Sequence, residues 1–117
     1  MEFEKIYTDA IIPTRNSIGY DIYTYDGNVL DPKQRCIIST GVRMKFPKGI
    51  SGYLVPLNED VEDYGLDILN GMDYFDDGCL QIIVMNHGDE RILIKSHTII
   101  AKLVLSTPFK FDTVTIR

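Results

Sequence analysis

Acidic side chains dominate the middle of this chain and are the first candidates for chemistry. Residues 57–90 carry ten Asp or Glu residues and no Lys or Arg, whereas the rest of the chain carries twelve basic and seven acidic side chains. The run from Asp73 to Gly78 has the composition of a calcium-binding loop. An EF-hand, however, needs an oxygen ligand at its third position and Glu at its twelfth, where Phe75 and Val84 stand. A weak metal site of another kind and a solvated acidic loop both stay open.

The cysteines and histidines give no sign of metal binding or nucleophilic catalysis. Cys36 and Cys79 form no CxxC motif, and no Ser or Cys stands at a recognisable triad spacing from His87 or His97. We interpret both cysteines as thiols of the protein core. The acidic block also disfavours nucleic-acid binding, because phosphate contacts need a basic surface.

Short strands separated by turns are the elements expected to position these side chains. Helical periodicity is weak, whereas period-2 alternation recurs between Gly, Pro, Asn and Asp. In the clearest case one face carries Cys36, Ile38, Thr40, Val42, Met44 and Phe46. Further strands are expected at 3–7, 20–25, 52–55, 79–85, 91–95, 99–105 and 109–116. The pattern predicts an all-β sandwich or barrel.

The size and hydropathy of the chain indicate one domain without a membrane segment. With 117 residues, of which 44% are hydrophobic, residues 1–117 are expected to form a single packed domain. The acidic N-terminus has no signal-peptide pattern, and no run approaches the roughly 18 apolar residues of a membrane helix, so a cytoplasmic protein is expected. Residues 99–105 are apolar on both faces apart from Lys102, which predicts burial between layers or at a subunit contact.

Four stretches, in order, resemble the motifs of the trimeric dUTPases. Residues 10–24, AIIPTRNSIGYDIYT, are similar to the opening of that family, in which a Pro-rich entry leads into a G-x-D-L-like strand. Residues 29–56 resemble the next stretch, with a Pro turn, an apolar strand, Thr-Gly-Val, Pro-x-Gly and a strand that ends in Pro. Residues 70–86 and 97–105 follow as the third and fourth. The resemblance implies a distorted β-barrel or jelly roll, three copies of which share active sites at their interfaces.

The resemblance also implies roles for individual residues. Asp73 matches the catalytic carboxylate, although it could instead be a turn residue that caps its own hairpin. Asp21 matches the acid that orients the water shell of a metal ion, or it is a strand-edge carboxylate. Candidates for nucleotide binding are Asn70, Gly71, Asp76 and Lys102; a Lys at this position could also extend from a buried strand to solvent.

The phosphate-handling residues of the family are largely missing. After Pro56 the family continues with Arg-Ser-Gly, whereas this chain continues with Leu57-Asn58-Glu59-Asp60 and so loses a guanidinium and gains carboxylates. Asp76 and Asp77 stand where the family has a Tyr under the deoxyribose and an Arg after it. His97, Thr98 and Ile99 replace a Gly-Asp-Arg lead, and Lys102 replaces Gln. The Gly-rich C-terminal arm is absent from residues 1–117.

These departures favour a homotrimeric dUTPase-fold protein that does not hydrolyse dUTP and acts through an unknown protein partner, with no cofactor. The dUTPase-derived early protein of adenoviruses has similar losses and a turn like residues 86–89, so a viral protein located inside a host cell is one interpretation. The expected interaction surface consists of Glu59, Asp60, Tyr64, Tyr74, Phe75, Asp76 and Asp77. The alternatives are a divergent active dUTPase that uses Mg²⁺, and a module that binds or sequesters nucleotides.

Overall fold

The computed structural model describes residues 1–71, 77–107 and 113–116. Within these residues the chain forms ten β-strands and one short π-helix. The strands are β1 (Glu2–Lys5), β2 (Thr14–Arg15), β3 (Gly19–Tyr23), β4 (Asn28–Leu30), β5 (Arg35–Lys45), β6 (Ser51–Pro56), β7 (Leu66–Ile68), β8 (Gly78–Asn86), β9 (Ile92–Ile94) and β10 (Ile99–Ser106). The helix spans Asp60–Tyr64, between β6 and β7. In the described part of the chain, no helix has the length and apolar character needed to cross a membrane.

Antiparallel pairing arranges the strands in three sheets. One four-stranded sheet has the order β1-β5-β8-β7, and the second has the order β2-β3-β10-β6. Strands β4 and β9 form a third, two-stranded sheet. The all-β class expected from the sequence is therefore confirmed.

Strand β5 has the alternation that the sequence predicts. Its buried side chains include Ile38, Thr40, Val42 and Met44, whereas Arg43 and Lys45 are exposed. Gly41 has a φ of 69°, and the register with β8 shifts between Ser39 and Arg43. A bulge of this kind bends a strand and increases its twist, which helps the sheet to curve around the core.

One apolar core joins the three sheets. It contains Ile22 and Leu103 from the second sheet, Ile82 and Val84 from the first, and Leu30 from the third. All five side chains are completely buried. Burial of one such side chain contributes about 1.5–3 kcal/mol, so apolar contact between the sheets is the main source of stability.

Several short elements were not expected from the sequence. Strands β2, β4 and β7 have two or three residues each, which is too short for a period-2 pattern to be recognised. The strand expected at 109–116 does not form in residues 113–116, and residues 109–112 lie outside the described chain.

The expectation for the two cysteines is wrong for Cys79. This residue is exposed, because the alternation of β8 places its neighbour Leu80 in the core and Cys79 on the solvent side. Cys36 is half-buried, and burial raises the pKa of its thiol. The structure therefore assigns a partly buried position to one thiol and a surface position to the other.

Asn86 is a fully buried polar residue that ties three chain segments together. Its Nδ2 donates hydrogen bonds to the carbonyl oxygens of Leu30 at 3.0 Å and Glu90 at 2.7 Å. Its Oδ1 accepts a hydrogen bond from the backbone N–H of Gly88 at 2.9 Å. The Asn of the turn at 86–89 thus has a structural role, since it satisfies backbone groups of β4 and of the turn after β8.

Replacing Asn86 by Leu keeps the branched shape of the side chain, in a somewhat larger volume, but leaves these backbone groups without their partner. We expect the free energy of unfolding to fall by about 3 kcal/mol, since three hydrogen bonds are lost at about 1 kcal/mol each and the orphaned groups are buried or partly buried. Urea denaturation measures the change, with the exposed Gln81→Leu on the same strand as a control. A loss below about 1 kcal/mol would contradict the structural role.

Candidate functional site

Strand β10 lies between β3 and β6 and brings three distant stretches of sequence together. Its Lys102 pairs with Asp21 of β3 and with Val55 of β6. Strand β3 can approach this closely because Gly19 has no side chain; a Cβ there would collide with the carbonyl oxygen of Leu103. The glycine of the G-x-D-L-like strand is therefore required by the packing of β3 against β10.

A cavity of about 580 Å³ opens beside these three strands. Its polar and charged lining consists of Asn16, Asp21, Asn58, Glu59 and Lys102, and its apolar lining includes Leu57. The volume lies within the range of small-molecule sites. The structure therefore brings together Asp21, Lys102 and Glu59, three of the residues singled out from the sequence.

Asn16 holds the carboxylate of Asp21. The Nδ2 of Asn16 donates a hydrogen bond to Oδ1 of Asp21 at 2.9 Å. The Oδ1 of Asn16 accepts hydrogen bonds from the backbone N–H groups of Ile18 and Gly19, at 2.9 and 2.8 Å. Neither Asn16 nor Asn58 was a candidate site residue from the sequence, although an Asn in a turn directly before the G-x-D strand is a usable signal.

The helix Asp60–Tyr64 turns part of the acidic segment away from this cavity. Glu59 lines the cavity of Asp21, whereas Asp60 and Tyr64 line a separate cavity of about 430 Å³ whose walls are largely residues 91–95 and 98–100. Burial raises the pKa of the Asp60 carboxyl, and the negative charge of Glu59 raises it further. Of these two adjacent acids, only Glu59 lines the cavity that Lys102 also lines.

Asn70 and Gly71 lie at the start of the connection between β7 and β8. They do not line the cavity of Asp21. The Nδ2 of Asn70 donates to the carbonyl oxygen of Gln81 at 3.1 Å, and its Oδ1 accepts from the N–H of Ile83 at 3.0 Å. The carbonyl oxygen of Gly71 accepts from the N–H of Leu54 at 2.9 Å. A Cβ at Gly71 would lie 2.7 Å from the carbonyl oxygen of Leu54, so this contact with β6 requires glycine.

The residues of the expected interaction surface face different parts of the structure. Glu59 lines one cavity, Asp60 and Tyr64 line another, and Asp77 accepts a hydrogen bond from the N–H of Phe46 at 2.7 Å. The other residues of that surface and the candidate base lie outside the described residues: Asp73, Tyr74, Phe75 and Asp76. The interaction surface therefore stays a prediction.

His97 precedes β10 at the position where the resembling family has glycine. Its φ is 53°, in the left-handed region that glycine adopts with little strain. The N–H of His97 nevertheless donates to the carbonyl oxygen of Thr24 at 3.0 Å, which joins this turn to the end of β3. The loss of the glycine has therefore not removed the turn that leads into β10 and Lys102.

Replacing Asp60 by Asn removes a carboxyl whose charged form is disfavoured by burial and by Glu59. A raised pKa in the folded state means that Asp60 lowers stability as the pH rises through that pKa. We expect Asn to stabilise the protein by less than about 1 kcal/mol at pH 7, because much of the side chain is screened by solvent. At about pH 3, where the carboxyl is protonated in both states, the gain should vanish.

Thermal melts at the two pH values measure this effect. The exposed Asp63→Asn, in the same helix, is the matched control and should change the melting temperature little at either pH. A clear loss of stability at pH 7 for the Asp60 variant would show that its carboxylate makes a favourable contact.

Comparison with known proteins gives the family. The family model for dUTPase matches residues 8–115. A deoxyuridine 5'-triphosphate nucleotidohydrolase of Paramecium bursaria Chlorella virus 1 is 32% identical over 108 residues, which cover 87% of this chain and 75% of that protein. The protein of the same name from Antonospora locustae is 29% identical over 117 residues, with 93% of this chain and 79% of that protein covered.

Solved structures of phage dUTPases have the same fold. A mutant dUTPase from phage phi11 of S. aureus, which coordinates a structural Mg(II) ion, aligns with a TM-score of 0.85 at 20% identity and covers 98% of this chain and 95% of that chain. The dUTPase of Staphylococcus bacteriophage 80alpha aligns with a TM-score of 0.84 at 22% identity and covers 98% and 94%. The dUTPase-like β-fold expected from the sequence is confirmed.

These relatives are named as dUTP hydrolases, and their alignments cover most of this chain. They overturn the expectation of a non-hydrolytic protein that acts through protein–protein interaction. That expectation rested in part on the loss of an arginine at Leu57 and on the acids that follow it. The structure adds Lys102 to the same cavity and places Asp60 in another. With a family match over residues 8–115 and a 32% identical relative, this chain belongs to the dUTPase family.

Proposed function

We propose that this chain hydrolyses dUTP to dUMP and pyrophosphate. The observation that carries the proposal is the meeting of three family-like stretches, at Asp21, Pro56 and Lys102, around one cavity. Membership of the dUTPase family supports the same conclusion. The cavity combines oxygen acceptors with a cation, which is the combination that a metal-bound triphosphate needs.

Lys102 is the proposed phosphate contact. Its side chain is half-buried and lines the cavity, and in the described part of the chain its ammonium has no hydrogen bond or ion pair with the protein. A Lys ammonium binds phosphate as a point charge, without the fixed fork of an Arg. Lys102 therefore supplies part of the positive charge that this chain lacks at Leu57, where the family has arginine.

The cavity fits a hydrated Mg²⁺ that arrives with the nucleotide. Asp21, Asn58 and Glu59 supply oxygen atoms, the ligands that Mg²⁺ prefers. Within residues 1–71, 77–107 and 113–116, no three His, Cys, Asp or Glu side chains are grouped to hold an ion directly. A bound Mg²⁺ would neutralise part of the negative charge of the phosphates. Asp21, held by Asn16, would accept hydrogen bonds from coordinated water.

Asp73 is the proposed base that accepts a proton from the attacking water, and Asn70, Gly71 and Asp76 are the proposed nucleotide-binding residues of the hairpin. The hydrogen bonds of Asn70 and Gly71 to β8 and β6 support a rigid start of this hairpin. Since neither residue lines the cavity of Asp21, we infer that a complete site combines the cavity of one subunit with the hairpin of another.

Wild-type protein incubated with dUTP and Mg²⁺ should release dUMP and pyrophosphate with a rate constant above about 0.1 s⁻¹. Asp73→Asn should lower kcat at least about 100-fold, as expected for loss of a positioned base. Chromatographic separation of the nucleotides measures both, with dCTP and dTTP as competing substrates and the exposed Asp89→Asn as a control. Folded wild type without turnover, or an equally active Asn variant, would refute this assignment.

We also propose that residues 1–117 form a single domain that assembles as a homotrimer. Ile99 of β10 is 37% exposed, and Val114 and Ile116 are 77% and 92% exposed, which leaves apolar surface that assembly would cover. Light scattering coupled to gel filtration should give about three times the 13.3 kDa of one chain. A stable monomer at micromolar concentration would contradict both the trimer and the site shared between subunits. A dimer would contradict the trimer of the family that this chain resembles.

A further inference from the structure

Asp21 and Lys102 are opposite charges at directly paired positions of β3 and β10. Side chains at such positions of an antiparallel pair have Cβ atoms about 4.5–5.5 Å apart, close enough for an acid and a base to attract each other. Both side chains are half-buried and line the same cavity, where their attraction is less screened than in water. An ion pair between them would occupy both groups that the proposed phosphate and metal contacts need.

The carboxylate of Asp21 is hydrogen-bonded to Asn16 instead. Because Oδ1 of Asn16 accepts two backbone N–H groups, its amide nitrogen must point toward Asp21. The N–H of Asn16 also donates to the carbonyl oxygen of Gly19 at 2.9 Å, which closes the turn between β2 and β3. The turn therefore holds the amide donor in place before any ligand arrives.

We propose that Asn16 is a positioning residue that keeps Asp21 from pairing with Lys102. The hydrogen bond from Asn16 occupies Oδ1 of Asp21 and holds the carboxylate at the turn between β2 and β3. The ammonium of Lys102 then stays available for a phosphate oxygen, and Oδ2 of Asp21 stays available for a metal-bound water. This inference rests on the proposed function of the cavity, but the pairing itself is measurable in the ligand-free protein.

Asn16 also shapes the turn, so the test must separate the two roles. Asn16→Ser keeps a side-chain oxygen that can accept the N–H groups of Ile18 and Gly19, but a hydroxyl on a shorter side chain does not reach Asp21 as the amide does. Lys102→Gln keeps a polar side chain, one atom shorter, and removes the charge that would attract Asp21. The double variant reports whether Asn16 acts through Lys102.

The first readout is structural and independent of activity. Crystal structures of ligand-free wild type and Asn16→Ser should show the Lys102 ammonium within about 4 Å of the Asp21 carboxylate in the variant only, the usual distance for an ion pair. A pair in both proteins, or in neither, overturns the inference whether or not the protein hydrolyses dUTP.

The second readout uses calorimetric titration with Mg²⁺ and a non-hydrolysable imido analogue of dUTP, beside KM and kcat for dUTP. Asn16→Ser should weaken analogue binding and raise KM about tenfold, with a smaller change in kcat, as expected for loss of one charged phosphate contact. In the Lys102→Gln background the same change should alter binding less than about twofold. If Asn16→Ser weakens analogue binding equally in the wild-type and Lys102→Gln backgrounds, Asn16 acts only on the turn. The same conclusion follows if a lower melting temperature explains the loss of binding.

Discussion

The pairing of β10 with both β3 and β6 is the constraint on which the rest of the structure depends. It buries Ala101 and Leu103 in the core and places Lys102 opposite Asp21, beside the cavity. Because side chains alternate between the two faces of a strand, a register shift of one residue would bury Lys102 and expose Leu103. The same register therefore sets both the burial of the core and the position of the Lys102 ammonium.

The cavity contains a balance of charges that no single motif describes. Asp21 and Glu59 contribute negative charge, Lys102 contributes positive charge, and Asn16 and Asn58 contribute neutral polar groups. Where a family arginine would hold phosphate with a rigid fork, a Lys on the neighbouring strand offers one flexible, strongly hydrated charge. In the proposed site, correct orientation of a phosphate would come from the residues around Lys102, among them Asp21 with its hydrogen bond from Asn16.

The expectation of a protein without hydrolytic activity rested on the altered positions in the sequence alone, and relatives named as dUTP hydrolases overturn it. Residues that act as a unit do not contribute additively, and a neighbouring residue can supply a missing group. Here Lys102 shares the cavity of Leu57, the helix turns Asp60 into another cavity, and His97 keeps the turn that the family builds with glycine. Each of these positions depends on a contact between residues that are distant in the sequence or on the direction of a helix.

The sequence by itself determined the all-β class, the buried face of β5 and the four family-like stretches, because alternation and turn residues are local properties of a chain. It also indicated Asp21 and Lys102, but not that they are directly opposed on paired strands. The tertiary structure decided the short strands β2, β4 and β7, the direction of Asp60, the hydrogen bonds of Asn86 and the hydrogen bond of Asn16 to Asp21. Such features arise from which strands pair and in what register, and that is set by the shared burial of distant apolar residues rather than by any local pattern.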